Sequence, residues 1–365
     1  MFDIASGSVG GSFFLKNEEG VPLIIETRRI DFPLRELPDT DRMKLDLLDS
    51  LDTLCADLQR KVGRRPDKIF CVLSTPWAHG ELRSIKFAST GFVFTEKFAG
   101  KLIDDETLKF KEEWQNLKVI IDKRTVKISL NGYAVDNPHG ERARSLEIGL
   151  YLSLAEEDLV KKIEEKIHRI FKAKIAFTSQ MFSDFICVRD IFDLRNDFII
   201  LNVGEEVSEV TLMKDDHLIG TAFFPYGKAS VVRYVSENLG KSMRETKSLF
   251  SLLSDGFIDE KLNKKFLEAL GGAGASWIKE LKTILHNLLP ERHLPHNIFL
   301  ASDEKTDEWL ESFLSIAKLP EFTLSSADFD VIIGGNKTLH GFADFRDGAT
   351  RDPSLTMKTI FINHL

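Results

Sequence analysis

The 365 residues are 43% hydrophobic and 29% charged, the balance of a globular chain of two or three domains rather than a disordered, collagen-like or mainly transmembrane one. A formal net charge of −8 carries no electrostatic footprint for nucleic acid, so none is expected as a partner. Cys55, Cys71 and Cys187 stand far apart, each in an apolar run, and read as reduced, buried residues of a cytoplasmic protein.

Met1-Phe2-Asp3-Ile4-Ala5 lacks the basic segment of an export signal. No apolar run reaches the roughly 18 residues that a spanning helix needs. Phe13-Phe14-Leu15, the polar Lys16–Gly20 and the returning Val21–Ile25 form a hairpin by turn chemistry. Over 41–62, Leu45, Leu48, Leu51, Leu54, Cys55, Leu58 and Val62 recur at helical spacing, with Gly63 placed for a left-handed cap. Ile69–Leu73 reads as a strand covered on both faces, ending at Ser74-Thr75-Pro76.

From about 84 to 171 the rhythm changes. A helix over 95–114, strands over 117–121 and 125–130, a turn at 136–138, a strand over 146–152 and a charged helix over 155–171 read as an inserted α+β module. Glu156-Glu157-Asp158 suits the positive end of that last helix. Apolar strands return at Lys174–Phe177, Phe198–Leu201 and Val207–Met213. Helices follow over 229–239, 243–253 and 275–289, with Gly271-Gly272-Ala273-Gly274 as a flexible joint before the third. Strands at 298–300 and 331–333 flank a helix bearing Trp309, Leu310, Phe313, Leu314 and Ala317. The closing Asp352–Asn363 reads as a strand, not a basic amphipathic helix. His293-Leu294-Pro295-His296 reads as a surface turn, since Pro295 prevents the helical spacing that would aim both rings at one metal. No signature of nucleophilic catalysis occurs, and no catalytic residue is assigned.

Asp3–Ser8 aligns with Asn202–Val207, and Gly11–Asn17 with Val210–Asp216, at one offset without a gap. Two such strand–turn–strand openings imply a duplicated fold with a cleft between the copies. Turns of small residues admit phosphates close to backbone N–H groups, and an acidic residue at a strand end can hold a bridging metal.

In this order of elements the chain resembles the actin superfamily, in the bacterial branch that holds the cell-division protein FtsA and the pilus-assembly protein PilM. Asp3–Ser8 resembles the first phosphate loop and Asn202–Ser208 the second. Asn131–Gly140 resembles part of the subdomain that FtsA inserts, and Phe224-Pro225-Tyr226-Gly227-Lys228 lies where the family has Gly-Gly before a helix. The resemblance implies an α/β, two-domain actin-like (ribonuclease-H-like) fold, each half on a five-stranded sheet, with an inserted α+β subdomain in the first half. The expected divisions are 1–83 with 172–196, the insertion 84–171, 197–228 with 294–350, a helical subdomain 229–293 and an extension 351–365.

The resemblance also implies a nucleotide site at Asp3, Ser6, Gly7, Ser8, Asn202, Gly204 and Gly227, with Asp3 as metal ligand and ATP and Mg as cofactors. Against it, Asn202 replaces an acid, and Glu205, Glu206 and Val207 stand where the family usually has glycine and threonine. Leu300-Ala301-Ser302-Asp303 replaces the adenosine Gly-Gly, Gly334-Gly335 reads as a simple turn, and the helix near 245–250 offers Lys247 and Phe250. ATP hydrolysis is therefore expected to be weak or absent, and a chain without cofactor is the alternative. The implied role is an FtsA-like scaffold at the inner face of the cytoplasmic membrane, self-associating into filaments with an FtsZ-like partner. Membrane contact is expected to be indirect or through a missing tail. A PilM-like pilus-assembly protein with its own partner is the alternative, and a small-molecule kinase of the superfamily the third reading.

Overall fold

A computed structural model describes the chain except for residues 19, 115, 195–196, 255–259, 290–293, 302–308 and 315–328. The fold begins with β1 (Phe2–Ile4), which turns into antiparallel β2 (Ser8–Leu15) and then β3 (Leu23–Asp31). Helix α1 (Thr40–Val62) starts where the Asp39 carboxylate accepts from the Arg42 N–H at 3.0 Å, and ends at Gly63 with φ 66°. Its leucine face buries Leu47, Leu51, Leu54 and Leu58 against the sheet. The chain then returns as β4 (Lys68–Leu73), parallel to β1.

A separate four-stranded antiparallel sheet follows, ordered β5-β8-β6-β7 from β5 (Ala78–Val93), β6 (Val119–Leu130), β7 (Tyr133–Ala134) and β8 (Arg142–Ala155). Helix α2 (Glu96–Glu113) packs on it through Phe110, beside Leu146, Ile148 and Leu150. The two strands expected at 117–121 and 125–130 are one, β6, whose register shifts after Ile120 and Thr125 mimic a break in pattern. Helix α3 (Glu157–Phe171) leads to β9 (Lys174–Ser179), parallel to β4. Asp122 of β6 ties this sheet to β9, accepting from Ser153 Oγ, Thr178 Oγ1 and the Ser179 N–H at 2.6, 2.7 and 2.8 Å.

After α4 (Gln180–Ile186) and a π-turn over Cys187–Ile191, the pattern repeats. Strands β10 (Phe198–Val203), β11 (Ser208–Lys214), β12 (His217–Phe224), β13 (Asn297–Ala301) and β14 (Asp330–Ile333) form a sheet ordered β12-β11-β10-β13-β14. The first sheet contains the same run, β3-β2-β1-β4-β9. Asp3 pairs with Gly10 in one half, and Asn202 with Glu209 in the other, at equivalent positions. Helices α5 (Lys228–Leu239), α6 (Met243–Ser254) and α7 (Glu260–Leu288) serve the second half; Val231, Val235, Trp277 and Leu281 of α5 and α7 share its core.

Three further expectations are corrected. The glycine-rich stretch 271–274 is no joint, because α7 runs through it. There Gly272 lets Tyr234 approach and Gly274 lets Phe313 approach; a Cβ would lie 2.6 and 2.5 Å from them. The first sheet has six strands rather than five, since β15 (Asp344–Phe345) pairs with β3, so the chain has rejoined the first half before the expected boundary at 350. The insertion's sheet likewise begins at Ala78, ahead of 84.

The closing segment is a helix, α8 (Pro353–His364), not a strand. Asp352 caps it, accepting from the Leu355 N–H at 2.9 Å, and Pro353 fits its first turn. Residues 355–363 are buried on every side, with Leu355, Ile360 and Phe361 packed among Ile24, Val72, Phe198 and Phe299 of the two sheets. That burial overrides the β-propensity of Thr356, Thr359, Ile360 and Ile362.

Candidate functional site

A cleft of about 850 Å³ opens where the two hairpin turns meet the start of α8. Asp3, Ser6, Gly7, Ser8, Asn202 and Gly204 line it, together with Lys247, Phe250, Trp309 and Gly334. Gly227 lies at the base of the second turn. Ser302 and Asp303, expected at the adenosine edge, fall outside the described residues, as does His293 of the histidine pair.

Asp3 is the central residue of β1, with its carboxylate buried (1% exposed) between two cations. Arg29 Nη2 of β3 lies 2.8 Å from Oδ2, and Lys358 Nζ of α8 lies 3.0 Å from Oδ1. Ser354 Oγ donates to Oδ2 at 3.1 Å. Burial alone would raise this carboxyl, but the Lys358 and Arg29 charges overcome it and hold the pKa at about 2. Arg29 also pairs with Asp352 at 2.7 Å and donates to Ser8 Oγ at 2.8 Å. Lys358, 2% exposed, donates to Ser354 Oγ at 2.7 Å. Strands β1 and β3 and helix α8 are thus joined by one buried ion cluster.

The two turns touch each other. Ser6 Oγ accepts from the Glu206 N–H at 3.1 Å, and a Cβ on Gly7 would lie 2.2 Å from Glu205 Cβ. The start of α5 is committed to the second turn: Lys228 and Ala229 N–H donate to the Gly204 and Glu205 carbonyls at 3.0 and 2.8 Å. Gly227 permits that approach, since its Cβ would sit 2.5 Å from both oxygens. Glu206 turns to Arg233 at 2.5 Å.

Glu209 is buried beneath these turns. Its Oε1 accepts from the Thr75 N–H at 2.8 Å across the two halves, and its Oε2 from Asn202 Nδ2 at 3.2 Å. Burial raises its pKa to about 7, against the lowering effect of the Thr75 hydrogen bonds. Nearby Asp184, which accepts twice from Gln180 Nε2 at 2.7 Å, is raised by burial to about 6.

These residues do not fit a magnesium–nucleotide complex. The one carboxylate placed for a metal already faces two fixed cations, and Asn202 is neutral and bonded to Glu209. The two turns are held against each other, and the Lys228 and Ala229 N–H groups at the start of α5 are spent on the Gly204 and Glu205 carbonyls. Among the described residues, no group of three or more His, Cys, Asp or Glu could hold a metal ion. Sequence reasoning placed the two turns but missed Arg29, Glu209, Asp352, Ser354 and Lys358. Two signals were present: Asp352-Pro353-Ser354 is a helix-start pattern, and the internal repeat sets Glu209, a charge within a buried strand, opposite Gly10.

No protein-family model matches the sequence, and no curated protein matches it in sequence. Among solved structures, the chain is similar to the PilM-PilN type IV pilus biogenesis complex at 10% identity, covering 100% of this chain and 98% of that one, with a TM-score of 0.69. Ethanolamine utilization protein EutJ from Carboxydothermus hydrogenoformans aligns at 9% identity over 100% of this chain and 88% of that one, with a TM-score of 0.46. A Bacteroides thetaiotaomicron protein with an actin-like ATPase fold and unknown function aligns at 9% identity over 98% and 94%, with a TM-score of 0.42. The chain has the actin-like fold over its whole length, as the order of its motifs implied.

Proposed function

We propose that this chain is a non-hydrolysing adaptor of the actin-like fold that binds a protein of a pilus-assembly machine. The observation that carries the reading is the Arg29–Asp3–Lys358 cluster, which sets two of the chain's own cations against the carboxylate expected to hold metal. Phosphoryl transfer depends on placed charge and open phosphate loops, so the same cluster argues against a kinase. Between the two adaptor readings, the full-length likeness to the PilM-PilN complex favours a pilus-assembly partner over a division filament.

Calorimetric titration with Mg-ATP and a phosphate-release assay test the first half of this reading, with neither heat nor turnover expected. Micromolar affinity with steady hydrolysis, both abolished by Asp3→Ala, would overturn it. Co-expression with pilus-assembly proteins and with a division-filament protein tests the second half. A stoichiometric complex with a pilus protein is expected, and one formed only with the filament protein would restore the division role.

A further inference from the structure

We propose that the end of the first sheet opposite the cleft is a docking rim for an anionic membrane surface. Helices α1 and α3 pack side by side and lead into β4 and β9, which run parallel as neighbours. Both helix C-termini and both strand starts therefore lie on one edge. That topology gathers Arg64, Arg65, Lys68, Lys172 and Lys174, all exposed, on a chain whose net charge is −8. Lys68 and Lys174 are cross-strand partners, so two ammonium groups leave the same face of the sheet.

Other cations nearby are neutralised locally. Arg60 pairs with Asp57, Lys61 with Glu26, Lys166 and Arg169 with Asp52, and Lys16 with Glu18. The five named above have no carboxylate partner among the described residues, and Asp67 is the acid interleaved with them. Lys68 does stand over the half-buried Phe70 ring at 4.4 Å. Basic residues at helix C-termini complement the helix dipole, but that does not account for Lys68 and Lys174 at strand starts.

A lipid surface fits this rim better than an acidic polypeptide does. The cations spread along a sheet edge, and the same end of the sheet exposes Leu15, an apolar contact for the acyl boundary. No described helix is long and apolar enough to cross a membrane, so contact through the rim would be peripheral. It would also turn the cleft away from the bilayer.

The test is sedimentation of the full chain with vesicles of phosphatidylglycerol and phosphatidylcholine in equal parts, against phosphatidylcholine alone. Binding to the anionic vesicles only, weakened by salt, is expected. Each cation near such a surface strengthens partition about fivefold, so Arg64→Glu/Arg65→Glu/Lys172→Glu/Lys174→Glu should lower it by more than about a hundredfold. Should that variant fold poorly, the milder Arg64→Gln/Arg65→Gln should lower it roughly thirtyfold. A control of equal charge on the inserted module, Lys86→Glu/Lys97→Glu/Lys101→Glu/Lys111→Glu, should bind as the parent does. Equal pelleting with both vesicles, no pelleting with either, an equal loss in the control, or binding to polyglutamate without binding to vesicles would overturn the proposal.

Discussion

Replacing Glu209 by Gln should stabilise the protein at alkaline pH and flatten its stability profile. Glu209 is buried, and burial raises its carboxyl from an ordinary 4.5 to about 7. A carboxyl raised on folding binds its proton more tightly in the native state. Its contribution is therefore fully present below 4.5 and is lost as pH rises through about 7. At about 1.4 kcal/mol per pKa unit, the loss amounts to about 3 kcal/mol by pH 8. The amide of Glu209→Gln keeps an acceptor for the Thr75 N–H, and Asn202 can rotate to accept from the new NH₂ group. For a chain of this size the gain at pH 8 corresponds to about 4 °C in Tm. Thermal unfolding of parent and variant between pH 4.5 and 8.5 measures it, and the two Tm curves should diverge as pH rises. Asp184, raised in the same sense, remains in both proteins and itself helps to raise Glu209, so the difference reads Glu209 together with that coupling. Curves that stay parallel would refute the reasoning.

The ion cluster makes an opposite prediction at acid pH: the Asp3 contribution is complete above about 4 and is lost as pH falls through about 2. Removing one partner should cost about 3–5 kcal/mol in Lys358→Ala or Asp3→Asn, whereas the double variant Asp3→Asn/Lys358→Met should recover most of it in denaturant titrations. Asp122→Ala leaves three buried donors without their acceptor, costs about 2–4 kcal/mol, and should expose the insertion's junction to limited proteolysis. Gly274→Ala drives a methyl into the Phe313 ring and should lower stability by about 1–3 kcal/mol in a thermal scan. The expected self-association is checked by sedimentation over increasing concentration, where a single monomeric species throughout would leave the adaptor acting alone.

Sequence legibility followed the range of the forces involved. The leucine spacing of α1 and its glycine cap are local, so the helix and its end could be read almost to the residue. The two hairpin turns were visible because Asp3–Ser8 and Asn202–Val207 repeat the same opening. By contrast, α8 is buried all round, which erases the one-sided pattern that marks a helix, and its β-branched residues point the other way. The glycines of α7 read as a joint because the rings that require them, Tyr234 and Phe313, lie elsewhere in the sequence. The ion cluster was hidden for the same reason. Asp3 gives no local sign that its counter-charges come from Arg29 and from Lys358, near the opposite end of the numbering.

That long reach has a consequence in time. The first half begins with β1, but β15 and α8 complete it, and the Asp3 carboxylate acquires Lys358 only when α8 docks. At ordinary synthesis rates, roughly 20–70 s separate the emergence of Asp3 from that of Lys358. Through that interval the first sheet waits with a half-paired acid inside its first strand and an uncovered face. A chaperone that holds nascent chains should therefore be found on ribosomes stalled before residue 353, and should leave once the last helix is free to fold.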